Sequence, residues 1–390
     1  MKKGQCVEAF ESKFADYFAA DSAIAFSQAR VAIYFILKAL SFPVGSELIT
    51  TPVTIRGIIN SILVNGLKPV FVDLGHNTGN MDVTQIEENI TDRTRAILVT
   101  HLNGIPSKMD LIQGIADKHG LVVLEDTSQS IGAKCNGRYV GLLGTAGIFS
   151  ISALKPLSTF TGGILLTNNQ KLARQLKIYT DHLPEQDLVA MFFACTRELM
   201  MYFFSSRYLF SCFTFYAIKG MNLLSLKFFD SLQHMDLSVK KQRAEMPKEF
   251  LVSFTEYQAK IGQEAFKSFK ADTERRSNMG YLLHSELMKA SVPGLVEIPS
   301  NTYCVFWRFP LWVENPKKFR RYLFNRYIDT TVSGLDCCSR EPIFKELSKY
   351  TPEAFRFINN MVFLPIHPAM SIRQIKYIVQ VVCEYYEYCC

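Results

Sequence analysis

The chain has 390 residues, of which 48% are hydrophobic and 20% charged. That is a globular composition, too long for one small core and sufficient for two domains. The net charge of +7 is not gathered into a Lys/Arg stripe with interleaved aromatics, so a nucleic-acid partner is not expected.

In chain order, residues 7–42 read as helix, from "VEAFESKFADYF" through "QARVAIYFILKALSF", with apolar spacing near 3.6. "SELITTPVT" (46–54) is a short strand ending in small polar residues. "IRGIINSILVNG" returns as a helix closed by Gly66, and "KPVFVDL" is the next strand. "MDVTQIEENI" reads as helix, "TRAILVTHL" as strand, "MDLIQGIADKHG" as helix and "LVVLEDT" as strand. "GIFSISALK" and "GGILLTNN" are two more strands, followed by the helix "QKLARQLKIYT". Strand–helix alternation with short connections implies an α/β domain built on a mostly parallel sheet flanked by helices. Ligands bind such sheets at the carboxyl ends of their strands. Thr54, His101, Asp126 and the segment 150–155 all fall there.

The pattern breaks at 188–229, which holds nine of the chain's 30 Phe. Its longest charge-free run, 208–218, has 11 residues, short of the roughly 20 needed to cross a bilayer. Arg197, Glu198, Arg207, Lys219 and Lys227 interrupt it. Two or three helices lying in a membrane interface fit this pattern; a buried hairpin or a subunit interface is the alternative. From 254 the chain reads as a long amphipathic helix and then a smaller C-terminal α+β domain. Its elements are "YCVFWRFPLWV", "PKKFRRYLFNRY", "NMVFLPIH" and a closing helix from Ser371. The expected division is 1–240, a large cofactor-binding domain that includes the Phe-rich insert, and 241–390, the connecting helix with the small domain.

None of the ten Cys forms a CxxC pair, so no metal site is expected. Residues 1–14 lack the apolar stretch of a signal peptide. Free thiols then fit a cytoplasmic setting, with a peripheral contact at the inner face of the membrane if the insert meets lipid.

The chemistry concentrates in "LEDTSQSIGA" (124–133) and "FSISALKPLSTFTGG" (149–163). A Lys at the end of a buried strand is costly unless it is used, and a desolvated amine of lowered pKa condenses with aldehydes. Pyridoxal 5′-phosphate needs such a Lys and a carboxylate opposite its ring nitrogen. It also needs small polar groups, and often a helix N-terminus, around its phosphate. Asp126, Lys155, Ser150 and the helix start at Ala29–Arg30 are of these types. A solvated strand-edge acid and amine are the plainer reading of the same residues. His101, just past a strand end, is a candidate to line the substrate pocket.

These stretches resemble the DegT-type aminotransferases, pyridoxal-phosphate enzymes of the aspartate-aminotransferase fold. "LEDTSQSIGA" is similar to the family's E-D-A-A-Q-A-x-G-A, and "GTAGIFSISALKPLSTFTGGILLTNN" to its G-x-x-S-F-H-x-x-K…G-G-x-x-x-T-N. "KPVFVDL", "HLNG", "YQAKIG" and "FLPIHPAMS" are further landmarks. The resemblance implies that Lys155 is the Schiff-base lysine and proton carrier, that Asp126 pairs with the pyridine nitrogen and that Gln129 lies by the ring's 3-oxygen. It places Ser150, Ala29 and Arg30 at the phosphate and Ile55 where an aromatic residue often stacks on the ring. It further implies a homodimer and an amino group moved from a donor such as glutamate to a keto sugar of polysaccharide or glycoconjugate synthesis. Departures from the pattern fall at Arg30, Ile55, Ser152, Thr161 and 251–253, where "LVS" replaces Asn-x-Arg. They leave open a non-catalytic regulatory or scaffold relative that keeps the cofactor.

Overall fold

The computed structural model describes residues 4–217 and 242–389. Residues 7–42 are not helical throughout. Helix α1 (Gln5–Phe18) stops at Ala19, which adopts the left-handed region at φ 56. A strand β1 (Ser22–Phe26) follows, and then helix α2 (Ala29–Leu40). All but the first residue of β1 are buried, so it has no polar alternation, and periodicity alone merges it with its helical neighbours.

The main sheet continues with β2 (Glu47–Thr50), β3 (Lys68–Phe71), β4 (Thr94–Thr100), β5 (Val122–Asp126), β6 (Ala146–Ser150) and β7 (Gly163–Thr167). Their spatial order is β1-β7-β6-β5-β4-β2-β3. Strands β2 to β6 pair in parallel; β7 runs antiparallel to both β6 and β1. A parallel sheet needs cover on both faces, and the strands supply apolar residues to both. On one face α2, α3 (Arg56–Leu63) and α5 (Gln170–Asp181) pack on Leu48, Leu98, Leu124, Ile148 and Leu165. On the other, α4 (Met109–His119) covers Ile49, Ile97, Val99 and Val123. Beside it α1 covers Phe149, Ile164 and Leu166 with Phe10, Phe14 and Phe18. Burying each such aromatic contributes on the order of 2–3 kcal/mol. "MDVTQIEENI" forms two 3-10 turns, Val83–Gln85 and Glu87–Asn89, rather than an α-helix. Asp82 caps the first by accepting the Thr84 N–H at 3.0 Å.

The insert opens with helix α6 (Leu188–Ser205), which Asp187 caps by accepting the Val189 N–H. Positions 218–229 of the insert, and the expected domain boundary at 240/241, lie outside the described residues. Helix α7 (Glu256–Lys289) starts with a reciprocal Thr255–Gln258 capping box. Its first half packs Phe266 and Phe269 against α1, and its second half sends Leu283 and Leu287 into a separate core. That core is completed by a three-stranded sheet of β8 (Phe309–Trp312), β9 (Thr331–Val332) and β10 (Met361–Leu364). Helices α8 (Pro316–Phe324), α9 (Pro352–Asn360) and α10 (Ile372–Cys389) surround it.

Candidate active site

Parallel pairing aligns the strand ends. Thr100 lies opposite Asp126, and Asp126 opposite Ile148, two residues before Ser150. Strand β1 delivers α2 to the same edge, because Gly163 of β7 pairs with both Ser150 and Phe26. A Cβ at Gly163 would lie 2.4 Å from the Ala29 nitrogen, so this crossing tolerates only glycine. Ser150 and Ala29, far apart in sequence, are thereby neighbours across one strand.

Asp126 is buried at the end of β5 and accepts the Ser128 N–H at 3.0 Å. Burial pushes its carboxyl pKa up, against the downward pull of Ser128, Lys155 and His101. Lys155 sits in the loop after β6, where Leu154 takes φ 65 and the Lys155 N–H donates to Ser152 O at 3.2 Å. The side chain is partly exposed, but its Nζ lies 3.9 Å from the centre of the Trp307 ring. Desolvation brings the amine down to about 7; the Asp126 charge opposes that shift and the Arg308 charge adds to it. The acid and the amine are thus near enough for the charge of each to shift the other's ionisation.

The other expected residues are distributed as follows. Gln129 is buried and its Oε1 accepts the Asn103 N–H at 2.9 Å. Ser150 Oγ meets Ser152 Oγ at 2.9 Å. Ala29 is the first residue of α2, whose preceding Gln28 makes no side-chain cap. The Arg30 guanidinium turns onto the Phe250 ring at 5.4 Å, while Ser27 Oγ donates to Phe250 O at 2.6 Å. The segment 251–253 is thus packed beside the helix start, with the Ser253 N–H donating to Pro184 O. Ile55 precedes α3 and packs on the core beneath α2. His101 is fully buried and both ring nitrogens have protein partners: the Ser107 N–H at 3.0 Å and Glu125 Oε2 at 3.1 Å. The ring is committed to a buried network that also ties Glu125 to the N–H groups of Gly141, Leu143 and Gly144. Neither nitrogen is left for a substrate.

The structure adds Trp307 and Arg308, which the sequence reading passed over. Gly104, at φ +86, lets the loop after β4 run against them: a Cβ there would lie 2.5 Å from the nitrogens of Phe306 and Trp307. The Val305 N–H donates to Gly104 O at 2.9 Å, and Trp307 Nε1 donates to Leu154 O at 3.1 Å. The one visible signal was a basic residue inside the apolar run "YCVFWRFPLWV".

A family model for the DegT/DnrJ/EryC1/StrS aminotransferase family matches residues 1–189 and 235–383. The chain belongs to that family. This aminotransferase is 28% identical over 392 residues to a pleiotropic regulatory protein of Geobacillus stearothermophilus, covering 99% of this chain and 90% of the relative. It is 36% identical over 182 residues to the spore coat polysaccharide biosynthesis protein SpsC of Bacillus subtilis, covering 47% of each. With the GDP-perosamine synthase of Escherichia coli O157:H7 it shares 36% over 170 residues, 44% of this chain and 47% of the relative. The matched stretch thus spans about half the length of these last two proteins. Among solved structures, a DegT DnrJ EryC1 StrS aminotransferase from Brucella abortus superposes with a TM-score of 0.76 at 20% identity, covering 98% of this chain and 90% of the other. DesV of S. venezuelae gives 0.74 at 24%, covering 98% and 89%. Aminotransferases of this family use pyridoxal 5′-phosphate. The residues present fit it: a buried acid at the end of β5 and a desolvated amine in the loop after β6 lie within electrostatic reach of each other, on the side of the sheet where α2 starts without a side-chain cap. Residues 190–234, most of the Phe-rich insert, fall outside both matched segments.

Proposed function

We propose that this aminotransferase moves an amino group from glutamate to the keto group of a sugar or related carbonyl precursor of a polysaccharide or glycoconjugate. Support for the acceptor class comes from relatives named for spore coat polysaccharide and GDP-perosamine synthesis. The observation that carries the reading is that the parallel pairing of β5 with β6 sets the buried Asp126 beside the strand leading into the Lys155 loop, near enough for each charge to shift the other's ionisation.

Pyridoxal 5′-phosphate, when bound, supplies an aldehyde for amines and a ring that withdraws electrons from the carbon bearing the transferred nitrogen. Asp126 would hold the proton of the ring nitrogen; its burial makes that hydrogen bond stronger than a solvated carboxylate could offer. Lys155, close to neutral at physiological pH, would take a proton from the substrate carbon and return it, first with the donor and then with the acceptor. Gln129, held by the Asn103 N–H, would border the ring. Ser150 and the start of α2 would hold the phosphate, with Arg30 adding positive charge. The proposed working unit is a homodimer, as the resemblance implies, in the cytoplasmic setting that free thiols fit. The insert would rest on the membrane: Phe192, Phe193, Phe203 and Phe213 of its described part are exposed. No helix among the described residues is long and apolar enough to cross a bilayer.

The test is spectral. Holoenzyme carrying the cofactor should lose its absorbance near about 410–430 nm on addition of L-glutamate and recover it with a keto-sugar acceptor. Lys155→Ala should do neither. A spectrum unmoved by every amino donor would identify a non-catalytic relative instead.

A further inference from the structure

We infer that the sugar this enzyme aminates is carried on a membrane lipid, and that α6 docks the site on the bilayer that holds it. The inference rests on the transaminase reading and narrows its acceptor. Helix α6 has two faces. Val189, Phe192, Phe193, Leu199, Met200 and Phe203 recur at helical spacing, and each is more than half exposed. An apolar stripe of this length is costly in water and marks a contact surface. The other face holds the protein, where the Thr255 hydroxyl donates to Met191 Sδ at 3.7 Å.

That contact joins the stripe to the chemistry. Thr255 caps α7, and Gln258 of the same capping box donates through Nε2 to Thr161 O at 2.7 Å and to Thr161 Oγ1 at 2.8 Å. Thr161 belongs to the loop between β6 and β7 that carries Lys155. Beyond the insert the chain returns to the start of α2. The Arg243 N–H donates to Asn60 Oδ1 at 2.9 Å, and the Arg243 and Arg30 guanidiniums lie 5.1 Å and 5.4 Å from the Phe250 ring.

A bilayer is the occupant that fits the stripe. Residues 188–229 carry four basic side chains, Arg197, Arg207, Lys219 and Lys227, against one acidic, Glu198, the balance that anionic headgroups attract. A helix that does not cross the bilayer lies in its interface, with its apolar face about 5–10 Å into the boundary of headgroups and acyl chains. A helix with its side chains is about 10–12 Å across. The inner face of α6, and the lysine loop clamped behind it, would then ride at headgroup level. A sugar esterified to a lipid phosphate stands in that same layer. A nucleotide is the other source of a keto sugar on a phosphate, but it is soluble and leaves the stripe without a task. Overall the keto carbon gives up its oxygen and takes the amino group and α-hydrogen of glutamate, which ends as 2-oxoglutarate; the water taken up in one half is released in the other.

The experiment presents one keto hexose on two carriers, as its uridine diphosphate ester in solution and as its polyprenyl diphosphate ester in phosphatidylcholine–phosphatidylglycerol vesicles. Holoenzyme first treated with L-glutamate is given each, and the return of cofactor absorbance is followed. Sedimentation with loaded and with bare vesicles reads binding without turnover, and decides if neither ester reacts. Wild type should prefer the lipid ester by at least about tenfold, because the membrane confines enzyme and acceptor together, and should sediment more with loaded vesicles. Phe192→Ser/Phe193→Ser should lose both preferences and keep the glutamate response and the rate with the soluble ester. Leu199→Ser/Met200→Ser, further along the stripe, should repeat this and carries the test if the first pair folds poorly. Equal rates with the two esters and equal sedimentation with loaded and bare vesicles overturn the inference. So does a change of oligomeric state in the variants with vesicle binding untouched, which would make the stripe a subunit contact. A wild-type spectrum that ignores every amino donor, with loaded vesicles still preferred, would overturn the transaminase reading and leave the lipid ligand standing.

Discussion

At the scale of single residues, the amine of Lys155 sets a pH dependence whose sign can be worked out. Its value in the folded protein, about 7, lies below the ordinary 10.5. Folding therefore disfavours the charged form. The stability linked to this group is complete above the ordinary value and is lost as pH falls from there through about 7. The same shift makes the amine a nucleophile at neutral pH. Reconstitution of cofactor-free protein with pyridoxal 5′-phosphate should accelerate with pH along a titration centred near 7. Arg308→Gln should move that centre upward, because one repelling charge is gone. A centre above about 9, the range of a solvated lysine, would mean that the amine is not desolvated.

At the scale of elements, Gly104 decides whether the small domain reaches the site. An alanine there would need an unfavourable positive φ and would collide with the backbone of Phe306 and Trp307. Gly104→Ala should cost about 1–3 kcal/mol in denaturant unfolding and slow reconstitution with the cofactor, since Trp307 must retreat from Lys155. Equal unfolding midpoints for variant and wild type would refute this packing argument. The same elements mark what the sequence could disclose. Asp126, Ser150 and Lys155 were legible because parallel strands place their last residues on one edge, and helix–strand alternation reveals those strands. Strand β1 was hidden because it is buried on both faces and carries no period. The inward turn of His101 was hidden for a different reason. It bonds Glu125, whose side chain leaves β5 on the face opposite to Asp126, and sequence does not fix which side a residue just past a strand end will take. Trp307 reaches the Lys155 loop only through a contact 153 residues apart in sequence, and no local pattern encodes such a contact.

At the scale of the whole molecule, the Phe-rich segment is the internal stretch left unmatched by a family model that otherwise spans the chain almost end to end. Its described part is anchored where Phe215 packs on Phe324 at 4.8 Å, yet Tyr208 remains 82% exposed. With a net charge of +7, the protein should sediment with anionic vesicles. Removing 188–229 should abolish that while leaving the cofactor spectrum intact; equal sedimentation of both forms would exclude the lipid contact. The strand order has a last consequence, for how the enzyme is born. Because the first strand of the sheet pairs with the seventh, a ribosome must synthesise past Thr167 before that edge of the sheet can close, and past Trp307 before its ring can meet Lys155. Nascent chains released early should emerge unable to retain the vitamin, so cells short of pyridoxal would meet a newly finished apoprotein rather than one loaded during translation.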